Sequence, residues 1–189
     1  MAVRRPLQVQ VIRAWQRAIT RDYCNQRINS ERSLQASLWA QLNRTLPPKT
    51  RRMFIEPGMK VGTKRVFFPD IVICNTREVI AVIEIKYQPR ALPSHDKDLE
   101  TLRILARNRR RVSVSNTRFR GPAVDAKNYP MSEDVLFVWA GIHKKPQTSY
   151  ESEEQKLLSH RFRVLDDCFL QLHAETDHLK RPSVFSRVN

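Results

Sequence analysis

The sequence predicts an α/β fold built on a central mixed sheet flanked by helices, and three observations carry that prediction. Apolar residues recur at helical spacing up to Pro47-Pro48 and at strand spacing beyond it. A short polar connector, Asn75-Thr76-Arg77-Glu78, joins two apolar runs in the manner of a hairpin. The runs Val79–Tyr87 and Val135–Ile142 are apolar on both faces, the mark of strands covered on both sides. Helices before, between and after such strands bury every apolar face by packing onto the two sides of one sheet.

Taken in order, Leu7–Tyr23 reads as a helix with Val11, Ile12, Trp15, Ala18 and Ile19 on one stripe, and residues 1–28 as an N-terminal helical extension. Glu31–Leu46 is a second helix, capped by Asn29 or Ser30, carrying Leu34, Leu38 and Leu42, and stopped by Pro47-Pro48. Met53–Met59, Val66–Cys74 and Val79–Tyr87 read as three strands, the last two antiparallel. Asp96–Arg109 is a third helix with Leu99, Leu102, Ile104 and Leu105. Val112–Ser115 alternates and is left open as a short strand, Arg118–Asp134 reads as a long loop, and Val135–Ile142 returns to strand. Glu151–Arg163 reads as a helix, and Cys168–His173 either continues it or forms an edge strand. Residues 29–180 form the expected domain, and 181–189 a loose polar tail.

A chain of 189 residues and 22.2 kDa suits one core. Its 34 Lys and Arg against 19 Asp and Glu give a net charge of +15, which repels itself in a compact state and points to a polyanionic partner, nucleic acid. No apolar run approaches a bilayer span, and Met-Ala-Val-Arg-Arg-Pro lacks the apolar core of a secretory signal, so the expectation is an intracellular, cytoplasmic protein without a membrane partner. The three cysteines, Cys24, Cys74 and Cys168, form no Cys-x-x-Cys pair, and His173 and His178 are not placed on one helix face, so neither a disulfide framework nor a zinc site is expected.

Charges inside the apolar strands are the informative anomaly. Alternation puts Ile80, Val82, Glu84 and Lys86 on one face of the third strand, and Asp70 interrupts Val66–Ile73 in the second. A buried carboxylate is costly unless it is paired or binds a metal. Counting outward from the Asn75–Glu78 turn sets Asp70 opposite Ile83, and a slip of one residue sets it beside Glu84. Two carboxylates and an ammonium then converge at one end of the sheet. Mg²⁺ takes such oxygen ligands together with waters and a substrate phosphate, and the main-chain carbonyl of Ile85 is a further candidate ligand. The cation acidifies water and offsets phosphate charge, while Lys86 stabilises the hydroxide or the charge developing on phosphorus.

Pro69-Asp70, followed after a short hairpin by Glu84-Ile85-Lys86, resembles the PD-(D/E)xK nuclease superfamily, over Glu31 to Ile142. The resemblance implies an αβββαβ restriction-endonuclease-like core with extra N-terminal and C-terminal helices. It also implies a metal-dependent endonuclease that hydrolyses DNA with Mg²⁺ or Mn²⁺, in which Asp70 and Glu84 hold the metal and Lys86 activates the nucleophile. Glu31 matches the acidic residue that family members often carry on the first core helix, although helix-start acids also serve the macrodipole. Gln35 lies one turn on, facing the same way.

The run Arg107, Arg109, Arg110 and Arg111, with Arg118 and Arg120, reads as a phosphate track, and Gln35 is grouped with it as a nucleic-acid contact. Glu56 is either an auxiliary acid or a turn-facing surface residue, and Asp96 and Asp98 read as dipole partners of the third helix. Trp15, Trp39 and Trp139 read as core. Two other functions fit the same residues: a catalytically silent nuclease fold that binds nucleic acid, and a nuclease acting on RNA or branched DNA. A homodimer would suit a double-strand cut, since one such site cuts one strand.

Overall fold

A computed structural model describes residues 5–62, 65–92, 95–115, 117–145, 162–177 and 180–188. Helix α1 (Arg5–Arg17) runs directly into a π-helical segment, Ala18–Tyr23, so the first helix spans the expected residues in two geometries. Helix α2 (Glu31–Thr45) begins at a capping box: Ser30 Oγ accepts the Ser33 N–H, and Ser33 Oγ accepts the Ser30 N–H. It ends where Leu46 turns extended ahead of Pro47.

Two expected strands are each split. The run Met53–Met59 becomes β1 (Arg52–Ile55) and β2 (Met59–Val61), because Glu56 takes a positive φ of 45° ahead of Pro57-Gly58 and turns the chain away. The run Val66–Cys74 becomes β3 (Arg65–Phe67) and β4 (Ile71–Cys74), interrupted at Phe68-Pro69-Asp70, where proline supplies no ladder donor. Strand β5 (Val79–Gln88) is buried on both faces through Ile85, as expected of a central strand.

The β4–β5 hairpin carries the register that matters. Cys74 pairs with Val79, but Ile73 pairs with Ala81, Val72 with Val82 and Ile71 with Ile83, leaving Ile80 as the extra residue of a β-bulge. The bulge shifts the ladder by one residue relative to a plain count from the turn. The ladder ends at Ile71–Ile83, and the same register carried one residue further sets Asp70 level with Glu84 rather than Ile83.

Helix α3 (Asp96–Arg107) follows, then a 3-10 turn Arg109–Arg111 and β6 (Val112–Ser115). The expected loop Arg118–Asp134 is instead a two-stranded ribbon, β7 (Arg118–Arg120) with β8 (Ala123–Asp125), followed by the first residues of a long strand, β9 (Asn128–Lys144). Cys168–His173 falls mostly in β10 (Phe169–Asp177), which is not an edge, because the tail expected to be loose forms β11 (Lys180–Val188) beside it. Most of the expected helix Glu151–Arg163 lies outside the described residues; Arg163 itself begins a 3-10 turn, Arg163–Leu165.

The main sheet runs β1-β4-β5-β9 and forks at β9: its start pairs with β6, leading to β2 and β3, while its remainder pairs with β10, which in turn pairs with β11. Strands β5, β9 and β10 are mutually parallel neighbours in a sheet whose other pairings are antiparallel. On one face, α1 and α2 pack Trp15, Leu34 and Leu38 against Ile83, Ile85, Val138 and Leu172. On the other, α3 packs Leu99, Leu102 and Leu105 against Val82, Phe137 and Phe169. The fold is thus a mixed α/β layer structure, with the expected N-terminal extension packed into its core. Among the described residues no helix is long and apolar enough to cross a membrane.

Candidate active site

The site forms where β4 stops short of its neighbour. Beyond Ile83, the outer edge of β5 has no strand beside it, so its next amides need other acceptors. Two carboxylates supply them. Asp70 Oδ2 accepts the Ile85 N–H at 2.6 Å, and Glu31 Oε2, from the first turn of α2, accepts the Tyr87 N–H at 3.2 Å. In a strand, a residue's N–H and C=O leave on the same edge, so the Ile85 carbonyl faces this opening too. The Asp70 main chain is fixed as well: its carbonyl accepts from Gln35 Nε2 at 3.1 Å and from the Glu56 N–H at 3.1 Å.

Glu84 and Lys86 share the α3 face of β5 by alternation, and Asp70 shares it through Val72. Glu84 is 9% exposed. The Lys86 ammonium lies 3.8 Å from Asp98 Oδ2 on α3. That same oxygen accepts from Trp139 Nε1 at 3.4 Å. The indole reaches it by lying across Gly141, where a Cβ would come within 2.1 Å of the ring. A glycine is required there for close approach, not for backbone conformation.

The electrostatics mark these acids off from surface carboxylates. Burial pushes Asp70 above its usual range, with Glu31 adding to the rise and the Ile85 N–H opposing it. Burial also pushes Glu84 up, reinforced by the neighbouring Asp70 and Asp98 charges. Asp98 is raised by burial and held back by Lys86 and the indole N–H. Asp70, Glu84 and Asp98 are thus three desolvated carboxylates with raised pKa values, Asp70 held back by a hydrogen bond with Glu84, and oxygen donors of this kind are what a hard divalent cation takes as ligands. Among the described residues no group of three or more His, Cys, Asp or Glu stands ready-placed to hold a metal. Asp70 and Glu84 fit Mg²⁺ as the one or two carboxylates it ordinarily takes, the rest of its shell being carbonyl, water or phosphate oxygen.

The structure thus brings together Asp70, Glu84, Lys86, Ile85 and Glu31 and adds Asp98, Trp139 and Gly141, which the sequence reading missed. Asp98 left no signal, since an acid in a helix's first turn is already explained by the macrodipole. Trp139, Gly141 and His143 share one face of a buried strand, and a histidine there was a legible anomaly. His143 Nε2 meets His173 Nδ1 at 3.0 Å, and His95 stands edge-on to the Trp139 ring at 4.3 Å. Burial lowers all three histidines, His95 to about 4 and His173 to about 2, so they form a neutral packed layer behind Asp98.

The nucleic-acid candidates separate. Gln35 is buried, its amide directed to Asp70 and to Glu56 Oε1, so its role corrects to positioning the Asp70 backbone. Arg109 is tied to the Ala106 and Glu133 carbonyls, and Arg110 meets Glu133 at 3.4 Å. Arg107 and Arg111 are exposed. Arg118 bonds Asp125 and lies over the Phe54 and Tyr129 rings, so it too is structural; Arg120 belongs to β7. Compared with family models, curated proteins and solved structures, the chain matches none.

Proposed function

We propose that this chain is a Mg²⁺- or Mn²⁺-dependent endonuclease of the PD-(D/E)xK kind acting on DNA. One observation carries the reading: the buried Glu84 and the half-buried Asp70 meet on one face beside Lys86, at an edge where strand pairing has ended. The order α2, β1, β4, β5, α3, β9 supports it, since these elements run αβββαβ with the acids on the middle hairpin. The net charge of +15 supports a polyanionic substrate.

In this reading Asp70 and Glu84 hold the cation, with the Ile85 carbonyl facing the same opening and Glu31 bearing on it from α2. The bound cation lowers the pKa of water and offsets negative charge on the scissile phosphate. Lys86, held by Asp98, places its ammonium where the attacking oxygen and the phosphorus gather charge. Trp139 fixes the Asp98 carboxylate and, with the histidine layer, keeps water from its inner side. Asp70 is oriented by Ile85, Gln35 and Glu56 before any substrate arrives, so little reorganisation is needed on binding.

The test is cleavage of labelled DNA by purified protein with Mg²⁺, Mn²⁺ or chelator, alongside Mn²⁺ binding followed by electron paramagnetic resonance. Metal-dependent cutting lost in Asp70→Ala, together with weakened Mn²⁺ binding, is expected. Equal cutting by wild type and Asp70→Ala refutes the assignment. A catalytically silent nucleic-acid-binding protein is the second reading, favoured by the lack of a ready-placed three-residue metal group among the described residues. Salt-sensitive DNA binding without cutting under either metal would select it.

A further inference from the structure

The ribbon β7–β8 stands apart from the main sheet, each of its strands pairing with the other. One face is anchored: the Arg118 guanidinium lies 5.6 Å from the Phe54 ring centroid and 5.5 Å from that of Tyr129, and bonds Asp125 across the ribbon. The other face is open. Phe119 and Val124 are a directly opposed cross-strand pair, 74% and 58% exposed. An aromatic and a β-branched residue paired across a ladder ordinarily belong inside. Here they form an apolar platform on a ribbon too small to have a core.

The anchor locates the platform relative to the acids. Phe54 pairs with Val72 on β4, on the same sheet face as Asp70, while Lys127 at the foot of the ribbon bonds the Thr76 carbonyl, so the ribbon is rooted toward the hairpin's turn, at the other end of β4 from Asp70. The sequence around the platform, Arg118-Phe119-Arg120-Gly121, alternates aromatic and basic residues within a chain of net charge +15. A neutral or basic protein surface would suit the apolar pair but not this charge, and an acidic one offers no flat ring to match Phe119. A polyanion with exposed flat bases suits both, because any base can stack on an aromatic ring while its backbone meets the basic surroundings.

We propose that the β7–β8 ribbon is a stacking platform for unpaired bases of a nucleic-acid strand that runs along this sheet face toward the acidic site, with Phe119 as the stacking ring. The inference rests on the nucleic-acid reading above and deepens it: the substrate class is DNA with unpaired bases on the strand that carries the scissile phosphate, such as a branch, flap or frayed end. Duplex bases stay stacked on one another and do not reach the ring. Val124 supports the ring from across the ladder, and Arg118 fixes the ribbon's height above the sheet.

The experiment uses the full chain in chelator, so that binding is read without cutting. A short DNA single strand carrying 2-aminopurine and a blunt duplex of the same sequence are titrated. Wild type is expected to bind the single strand and change its 2-aminopurine emission through stacking. Phe119→Ala should weaken single-strand binding about tenfold and remove the emission change, leaving duplex affinity nearly unaltered. Phe119→Trp should restore both. Equal weakening on the two probes, or no weakening on either, overturns the platform. So does a wild-type dimer that Phe119→Ala turns monomeric in sedimentation with single-strand binding intact, since the ribbon is then a contact between copies. The two proposals fail separately. Phe119-dependent stacking without metal-dependent cutting refutes the nuclease, whereas Asp70-dependent cutting indifferent to Phe119 refutes the platform.

Discussion

The acidic hairpin and the arginine run at the end of α3 are two regions of opposite charge, and they are built under opposite constraints. Asp70 and Glu84 sit among buried apolar strands, where burial raises both and the Asp70 charge raises Glu84 further. Arg107–Arg111 follow a helix's last turn in solvent, where cations are favoured by the macrodipole and cost little. The acids are therefore the more informative about function, because their burial costs more than the one edge amide that Asp70 satisfies would require. The arginines are less so, and the structure gives part of the run ordinary work: Arg109 ties the helix end to Glu133, and Arg110 pairs with the same residue.

The comparison is broken most directly by activity. Asp70→Ala, Glu84→Ala and Lys86→Ala should each lower single-turnover DNA cleavage by on the order of 10²–10³ or more while circular dichroism stays unchanged. Arg110→Ala and Arg111→Ala should lower it only a few-fold at moderate salt. Equal losses in the two regions would mean that the acids are no more catalytic than the arginines.

Stability sharpens it next. A carboxyl whose folded pKa is raised stabilises the fold fully below its unfolded value, and that stability is lost as pH rises through the folded value. Without metal, urea unfolding should therefore show stability falling from about pH 4 upward, first through Asp70 near about 6 and then through Glu84 towards about 9. Glu84→Gln should flatten the upper part of this profile and stabilise the metal-free protein at pH 8 by about 1–3 kcal/mol. Mn²⁺ should flatten the wild-type profile as well. If Glu84→Gln is less stable than wild type at pH 8, Glu84 is a structural partner and its charge is satisfied by the protein alone.

The support behind Lys86 comes next in size. Gly141→Ala places a methyl group inside the Trp139 indole, so the ring must move off Asp98, at about 1–3 kcal/mol in thermal or urea unfolding and with loss of cleavage. Trp139→Phe keeps the packing and removes the N–H. It should retain most of the stability and lose part of the cleavage. Full activity in both variants would show that Lys86 needs no such support.

How much of this was legible follows from what each feature costs. Helices α1, α2 and α3 and strand β5 bury apolar stripes, so their periods stand in the sequence. The hairpin was legible, but its register was displaced by the bulge at Ile80, which has no local signature among Val79-Ile80-Ala81. The turn at Pro57-Gly58 was visible, yet nothing local announced that β2 would leave β1 to pair with β6. Ribbon β7–β8 and strand β11 are held by ladder hydrogen bonds with little apolar burial, so they read as loop and tail. At the site, Glu84 and Lys86 followed from alternation and Asp70 from its interruption of an apolar run. Asp98 was hidden because its partners, Lys86 and Trp139, come from two strands distant from it in the chain.

The smallest effect divides the arginine run itself. Arg111 is exposed, and Arg110 meets only a surface carboxylate, a pair worth about 0–1 kcal/mol, so neutralising either should leave the unfolding midpoint within error. If they contact phosphate, each substitution releases one fewer counterion, and the slope of log binding constant against log salt should become shallower by about 1. Arg109 should behave oppositely. Its guanidinium donates to the Ala106 and Glu133 carbonyls at 3.2 and 2.9 Å, so Arg109→Ala leaves main-chain acceptors unmatched and should cost about 1 kcal/mol with the salt slope unchanged. A salt slope unmoved by all three substitutions would remove this end of α3 from the nucleic-acid surface and leave binding to the face that carries Asp70 and Phe119.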